Sequence, residues 1–224
     1  YMAAGLLQGE MISSFKGKSR HYFGFTNSEC KLIKKVLNFL SKFNVNKDLL
    51  SYQIIVNCKN GKTLSDIQYV TYWSKKLEAP IKKFVKINYN FNYKTNNEYG
   101  SMSIKYYNTQ FRLFMQYYLT MLKEKVELRK KLAKPYLIGL FAAEGGVNLS
   151  SNLALNYISI GGSKKIDTQH YKKVLNVLGI KSGKVIKGVS NEDALKKGWK
   201  RGNGGYTIIQ GIDNFMLFYK NKII

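Results

Sequence analysis

Acidic side chains are scarce in this sequence. Of 224 residues only 13 are Asp or Glu, against 37 Lys and Arg, so the formal charge at neutral pH is +24. An enzyme built on many carboxylates is therefore disfavoured, and any acid that recurs at equivalent places stands out. Cysteine and histidine are rarer still: Cys30 and Cys58, His21 and His170 lie far apart and form neither CxxC nor HxxxH spacing. This argues against a zinc site or a Cys–His nucleophile and predicts a reducing compartment. Long hydrophobic runs are also missing. The best of them, YLIGLFAA at Tyr136–Ala143, falls well short of the roughly 20 residues that a membrane-spanning helix needs. No signal peptide is expected, since no segment shows its charged start and cleavage site.

What is present is apolar enough to fold, with 45% hydrophobic and 14% aromatic residues. At roughly 150 residues per domain, the length suits one large domain or two small ones. The excess of lysine would make a compact chain repel itself unless a polyanion screens it. A membrane-surface protein gathers its lysines on one amphipathic helix, whereas these are spread along the whole chain. Nucleic acid is therefore the expected partner, with neither a membrane nor a small-molecule substrate.

Internal duplication organises the chain. Phe23–Val45 and Ile158–Ile180 share KKVLN, at Lys34–Asn38 and Lys172–Asn176, an offset of 138. Upstream, AAGLLQGEM (Ala3–Met11) and LIGLFAAEG (Leu137–Gly145) are small-residue helical segments that reach a glutamate, Glu10 and Glu144, at an offset of 134. Two repeats follow, 1–131 and 132–224, with Pro135 near the boundary and suited to the first turn of the second glutamate-bearing helix. Within the first repeat, apolar spacing predicts a helix over Lys31–Phe43 capped by Asn27 or Ser28. Further helices are predicted near Ser65–Lys76 and Thr109–Lys131. Period-two alternation predicts a strand over Lys82–Lys94, with Val85, Ile87, Tyr89, Phe91 and Tyr93 toward a core. Arg20–Thr26, Leu50–Cys58 and Gly100–Tyr107 read as further strands. The second repeat offers strands near Leu153–Ile160, Gly183–Val189 and Tyr206–Gly211 and a short helix from Asp213. It is shorter by the Ser65–Lys76 helix and most of the last helix.

LIGLFAAEG, with AAGLLQGEM as its weaker partner, resembles the LAGLIDADG homing endonucleases, and the order helix, hairpin, helix, hairpin, helix in each repeat is similar to theirs. The resemblance covers nearly the whole chain. It implies an α+β fold: two αββαββα-type halves whose antiparallel sheets form a DNA-binding saddle around two central packed motif helices in a monomer. Small residues at Ala3, Ala4, Gly5 and Gly9, and at Gly139, Ala142 and Ala143, suit two helices in backbone contact. That packing would bring together helix ends that each carry a carboxylate at a partly negative terminus, a place for hard cations. The resemblance implies Glu10 and Glu144 as metal ligands and catalytic acids, with Gly9 and Ala143 beside them at the carbonyl ends. Mg²⁺ is the implied cofactor, Mn²⁺ substituting and Ca²⁺ binding without turnover, and a long double-stranded DNA site is cut across the minor groove. A lysine near each scissile phosphate is also implied; Lys105 and Lys187 are the candidates. The first motif departs from the family at Met11, where the second has Gly145.

The wet faces of the expected strands supply the side chains that bases and phosphates call for. These are Arg20, Ser51, Gln53, Asn57, Lys86, Asn88, Asn90, Ser103 and Lys105 in the first repeat, and Asn152, Asn156, Lys184, Lys187 and Gln210 in the second. Any of them can equally serve to solvate an open sheet face. A metal-dependent DNA endonuclease is the leading expectation. A cleavage-inactive DNA- or RNA-binding protein on the same scaffold, an intron maturase or a regulator, is the alternative, and a structural RNA-binding protein outside the family is a third. The location expected is intracellular, in an organelle or in an archaeal or bacterial cytoplasm.

Overall fold

A computed structural model describes residues 1–10, 21–58, 64–91, 97–162, 165–183, 185–187 and 205–223, without the side chains of residues 10, 165, 166 and 185–187. Among them are seven α-helices and eight strands in two four-stranded sheets, an α+β fold. No described helix is long and apolar enough to cross a membrane. By internal packing the chain forms two compact units, one of Glu10–Tyr117 and the other of Tyr1–Gly9 with Tyr118–Ile224.

The first unit holds β1 (Phe23–Asn27), α2 (Cys30–Ser41), β2 (Ser51–Asn57), α3 (Asp66–Leu77), β3 (Phe84–Asn90) and β4 (Ser101–Tyr106), in sheet order β1-β4-β2-β3. Helix α2 buries Ile33, Val36, Leu37 and Leu40, the i, i+3, i+4, i+7 stripe that faces a core. Its cap differs from expectation: Glu29 occupies the N-cap without a side-chain bond. Asn27 instead accepts the Glu29 amide through Oδ1 at 2.8 Å, closing a turn one step earlier. The α3 helix starts on a capping box, where the Ser65 amide donates to Gln68 Oε1 at 2.8 Å. It buries Trp73, whose indole N–H donates to the Tyr99 carbonyl at 2.8 Å.

Two expectations are corrected in this sheet. It is not wholly antiparallel, because α3 lies between β2 and β3 in the chain and returns β3 parallel to β2; a parallel neighbour needs such a crossover. Nor does β3 hold one alternation. Tyr52 pairs with Phe84 and Gln53 with Lys86, which leaves Val85 as an extra residue in a bulge. Val85 is 58% exposed as a result, and Phe84 moves to the core side, where it stacks on Tyr52. Phe91, expected in the core, is 57% exposed just past the strand end, and Tyr93 lies outside the described residues.

The long α4 (Thr109–Val126) spans both units. It stops at Val126 rather than near 131. Glu127, the next residue, accepts from His170 Nδ1 at 2.7 Å and from Lys173 at 2.9 Å, contacts that hold it in the turn. Helix α5 (Lys130–Glu144) then starts well before Pro135, which sits inside the helix and not in its first turn. The second unit continues with β5 (Gly145–Leu149), β6 (Leu155–Gly162), α6 (Lys165–Val177), β7 (Val185–Lys187), β8 (Gly205–Ile209) and α7 (Ile212–Lys220), in sheet order β5-β6-β8-β7. Strand β5, which opens on two glycines, was not among the expected strands. Residues 188–204, where a second copy of α3 would fall, lie outside the described residues.

Candidate metal and nucleic-acid site

The short α1 (Met2–Glu10) packs on α5 at backbone contact, and the contact is reciprocal. A Cβ at Gly5 would fall 2.0 Å from the Tyr136 carbonyl oxygen and 2.7 Å from the Leu140 nitrogen. A Cβ at Gly139 would fall 1.9 Å from the Met2 carbonyl oxygen and 3.0 Å from the Leu6 nitrogen. Each of these pairs, Gly5 and Gly139, Met2 and Tyr136, Leu6 and Leu140, differs by 134 positions, the offset that also relates Glu10 to Glu144. The two helix segments therefore meet about a local twofold, and only glycine permits the approach. Ala4, Leu6, Leu7, Leu137 and Leu140 are fully buried around it. Ala142 is exposed and takes no part, a correction to the expected small-residue face, while Ala143 does: its methyl lies 2.7 Å from a Cβ built at Gly9.

Glu144 is the last residue of α5, where the carbonyl end of the helix adds negative potential. Its side chain runs along Gly9, with Cγ at 2.6 Å and Oε1 at 3.2 Å from a Cβ placed there. On the other side, Oε2 is 3.2 Å from a Cβ placed at Gly161 of β6. The carboxylate thus occupies a cradle between two glycines. Nearby, burial pushes the Tyr171 hydroxyl well up, and the charges of Asp167 and Glu144 push it further. That phenol stays protonated and neutral. An anionic oxygen at a helix carbonyl end is the donor chemistry that a hard divalent cation takes. No cluster of three or more His, Cys, Asp or Glu that could hold a metal occurs among the described residues, which do not include the Glu10 side chain.

The first sheet gathers most of its expected contact residues on one face. Register pairs Gln53 and Asn57 of β2 with Lys86 and Asn90 of β3, with Asn88 between them opposite Ile55, and sets Ser103 and Lys105 of β4 beside Gln53 and Ser51. Lys105 donates to Gln53 Oε1 and lies 4.8 Å above the Tyr22 ring, and Tyr22 itself packs on Tyr107. Spacing sets both on the polar face, Tyr22 two residues from Arg20 and Tyr107 two from Lys105, but they escaped the sequence reading because aromatic side chains were assigned to the core. Ser103 is corrected: it is 1% exposed and its hydroxyl accepts from Thr26 at 2.9 Å, so it serves the sheet's own bonding. Arg20 and Lys184 lie outside the described residues, as do the side chains of Glu10 and Lys187.

The second sheet disperses its candidates. Asn152 closes the β5–β6 turn, accepting from the Ser150 hydroxyl and from the Ala154 amide. Asn156 is the extra residue of a bulge and donates to Asn148 at 3.2 Å. Gln210 is exposed past the end of β8, and its carbonyl accepts from Asn214. Sequence reading also missed the role of Gly161. Its signal was a Gly-Gly pair inside a strand pattern, which marks close approach by another group.

No protein-family model matches the sequence, and no curated protein matches it significantly. Solved structures do share its fold. I-DmoI in complex with DNA and Ca superposes at a TM-score of 0.50 with 15% identity, over 98% of this chain and 86% of that one. An I-DmoI variant in complex with its target DNA in the presence of Mg superposes at 0.51 with 13% identity, over 98% and 94%. The N-terminal LAGLIDADG domain of WhiA superposes at 0.49 with 13% identity, over 98% and 79%. The chain has the LAGLIDADG homing-endonuclease fold.

Proposed function

We propose that this chain is a divalent-metal-dependent endonuclease that recognises a long double-stranded DNA site as an intracellular monomer. The observation that carries the reading is the Glu144 carboxylate held at the end of a glycine-packed helix pair whose reciprocal contacts repeat at the offset of the two glutamates. On this reading the sequence repeats 1–131 and 132–224 each bring one acid, Glu144 for one strand and Glu10 for the other, with the carbonyls of Ala143 and Gly9 beside them. Mg²⁺ is the expected cofactor, Mn²⁺ substitutes, and Ca²⁺ supports binding alone. When bound, such an ion supplies an activated water and stabilises charge on the phosphodiester. The outer face of the first sheet, with Gln53, Asn57, Lys86, Asn88, Asn90 and Lys105, carries most of the base and phosphate contacts, and Lys184, Lys187 and Gln210 add to them. Lys105 and Lys187 are assigned to the scissile phosphates. That I-DmoI has been solved with its target DNA and with these metals supports the reading.

The test is incubation of the protein with a random duplex library in Mg²⁺ and in Ca²⁺. Cleavage in the first and binding without cleavage in the second are expected, with affinity falling by about 0.9 log units per log unit of salt for each phosphate neutralised. Glu144→Gln should stop the cut on one strand and leave binding intact. Tight binding with no cleavage in Mg²⁺ or Mn²⁺ would instead establish the non-cleaving binder, the reading favoured by Met11 in place of the glycine that follows Glu144.

A further inference from the structure

We infer that Gly161 is a positioning residue for the Glu144 carboxylate, an inference that rests on the endonuclease reading. A Cβ at Gly161 would have one tight neighbour, Glu144 Oε2 at 3.2 Å; the next atoms, of the Tyr206 ring and the Glu144 carbonyl, lie at ordinary contact distances of 3.5 and 3.6 Å. The absent side chain therefore makes room for the acid and for little else. Gly9 also lies beside the acid, a Cβ placed there falling 2.6 Å from Glu144 Cγ and 3.2 Å from Oε1. A methyl group at 161 must push the acid oxygen outward, away from the strand. A carboxylate that has to share a cation with a phosphate does not tolerate such a displacement, because productive geometry is held to a fraction of an ångström.

The other sheet is built differently at the corresponding place. Gly161 lies four residues before the start of α6 and pairs with Tyr206; Thr26 lies four residues before the start of α2 and pairs with Ser103. Thr26 and Ser103 join their hydroxyls at 2.9 Å. The bare strand position belongs to the second repeat alone, so its effect is confined to the strand that Glu144 serves.

The experiment is a double-mutant cycle of Gly161→Ala with Glu144→Asp, on a plasmid carrying a site selected from the random library. Nicking of each strand is scored separately, and Mn²⁺ uptake by the protein–DNA complex is followed by electron paramagnetic resonance. Gly161→Ala should slow the Glu144-dependent cut at least 30-fold, weaken Mn²⁺ uptake and leave the other strand and the gel-shift affinity unchanged. In the Glu144→Asp background, where the acid is one methylene shorter, the same substitution should cost less than threefold. The control Gly162→Ala places its methyl against Thr168, Asp167 and Tyr171 rather than the acid, and should spare Mn²⁺ uptake. If Gly161→Ala alone fails to fold, the double variant should regain the fold; equal failure of both overturns the inference. So does an equal cost of Gly161→Ala in both backgrounds, or cleavage and uptake at the parent level. A parent protein that neither cleaves nor takes up Mn²⁺ brings down the endonuclease reading, and this inference with it.

Discussion

The two units solve one topological problem with different materials. In the Glu10–Tyr117 unit the sheet is backed by hydrocarbon and aromatic side chains, with Trp73, Tyr52, Phe23, Phe25 and Ile33 all buried, and its opposite face is mostly polar, interrupted by Ile55. In the other unit a polar cluster sits inside the core. His170, 5% exposed, has Nδ1 on Glu127 at 2.7 Å and Nε2 3.0 Å from the Tyr136 hydroxyl, with Lys173 on the far side of Glu127 and Lys123 3.7 Å from Asp167. Burial lowers the His170 pKa, and the hydrogen bond to Glu127 works against that shift without reversing it. A neutral ring then donates from Nδ1 to Glu127 and accepts at Nε2 from Tyr136. The matching face of the second sheet holds Ser159, Gly161, Tyr206 and Ile208, with Gly161 and Ile208 buried, where the first holds mainly Ser, Gln, Asn and Lys. The first sheet carries the row of amide and lysine side chains, and the second carries the glycine that lies against Glu144. Duplicated halves can diverge in this way because the fold asks only that each keep its core stripe and its half of the helix contact.

The largest expected effect breaks the first unit. Trp73→Ala removes a fully packed ring together with its bond to Tyr99, and should cost about 3–5 kcal/mol in a denaturant titration. Gly139→Ala strikes the other unit at the α1 contact, where the added methyl meets backbone and cannot be relieved by a rotamer. A loss of about 3 kcal/mol is expected, and an unchanged midpoint would disprove the reciprocal packing. Sharper for the comparison is DNA affinity. Gln53→Ala or Lys86→Ala on the first sheet should each cost about 1–3 kcal/mol in a gel-shift titration, while Asn156→Ala, whose amide is spent on the bulge, should cost less.

Acid stability separates the units next. For Glu127, burial raises the pKa but the hydrogen bonds and charges of His170 and Lys173 outweigh it, so the net shift is downward from 4.5. His170 is shifted downward from 6.5. Both groups therefore contribute stability at neutral pH that is lost on acidification, His170 as pH falls below 6.5 toward its lowered pKa and Glu127 as pH falls below 4.5. Glu127→Gln removes the charge that supports the imidazolium, so its melting temperature should drop more between pH 7.5 and 5.5 than that of the parent. The smallest effect is Lys34→Ala. Its bond to Glu78 at 3.2 Å is exposed on both sides, and the denaturant midpoint should stay at the parent value.

Periodic and repeated features were legible without a structure. The stripes of α2 and β2, the alternation of β4 and the twin glutamate segments lie in residue spacing, and spacing survives into the fold because helix and strand periods are local properties. The bulge at Val85 was not legible, since Phe84 and Lys86 alternate with Val85 as well in a bulged strand as in a regular one. The start of α5 was missed for a different reason. Proline favours a first turn, but the bonds of Glu127 to α6 set where the preceding helix ends, and that preference lost to tertiary contact.

Composition and repetition by themselves determined that the chain is a basic, duplicated α+β protein with one acid per glycine-bearing helix, because charge, period and offset are properties of the string. Only the tertiary structure decided which glycines matter. Gly5 and Gly139 admit a backbone, Gly9 and Gly161 admit a carboxylate, and Gly179 has open space around it. A glycine's letter is the same in every case, and its meaning lies in what stands where its side chain would be.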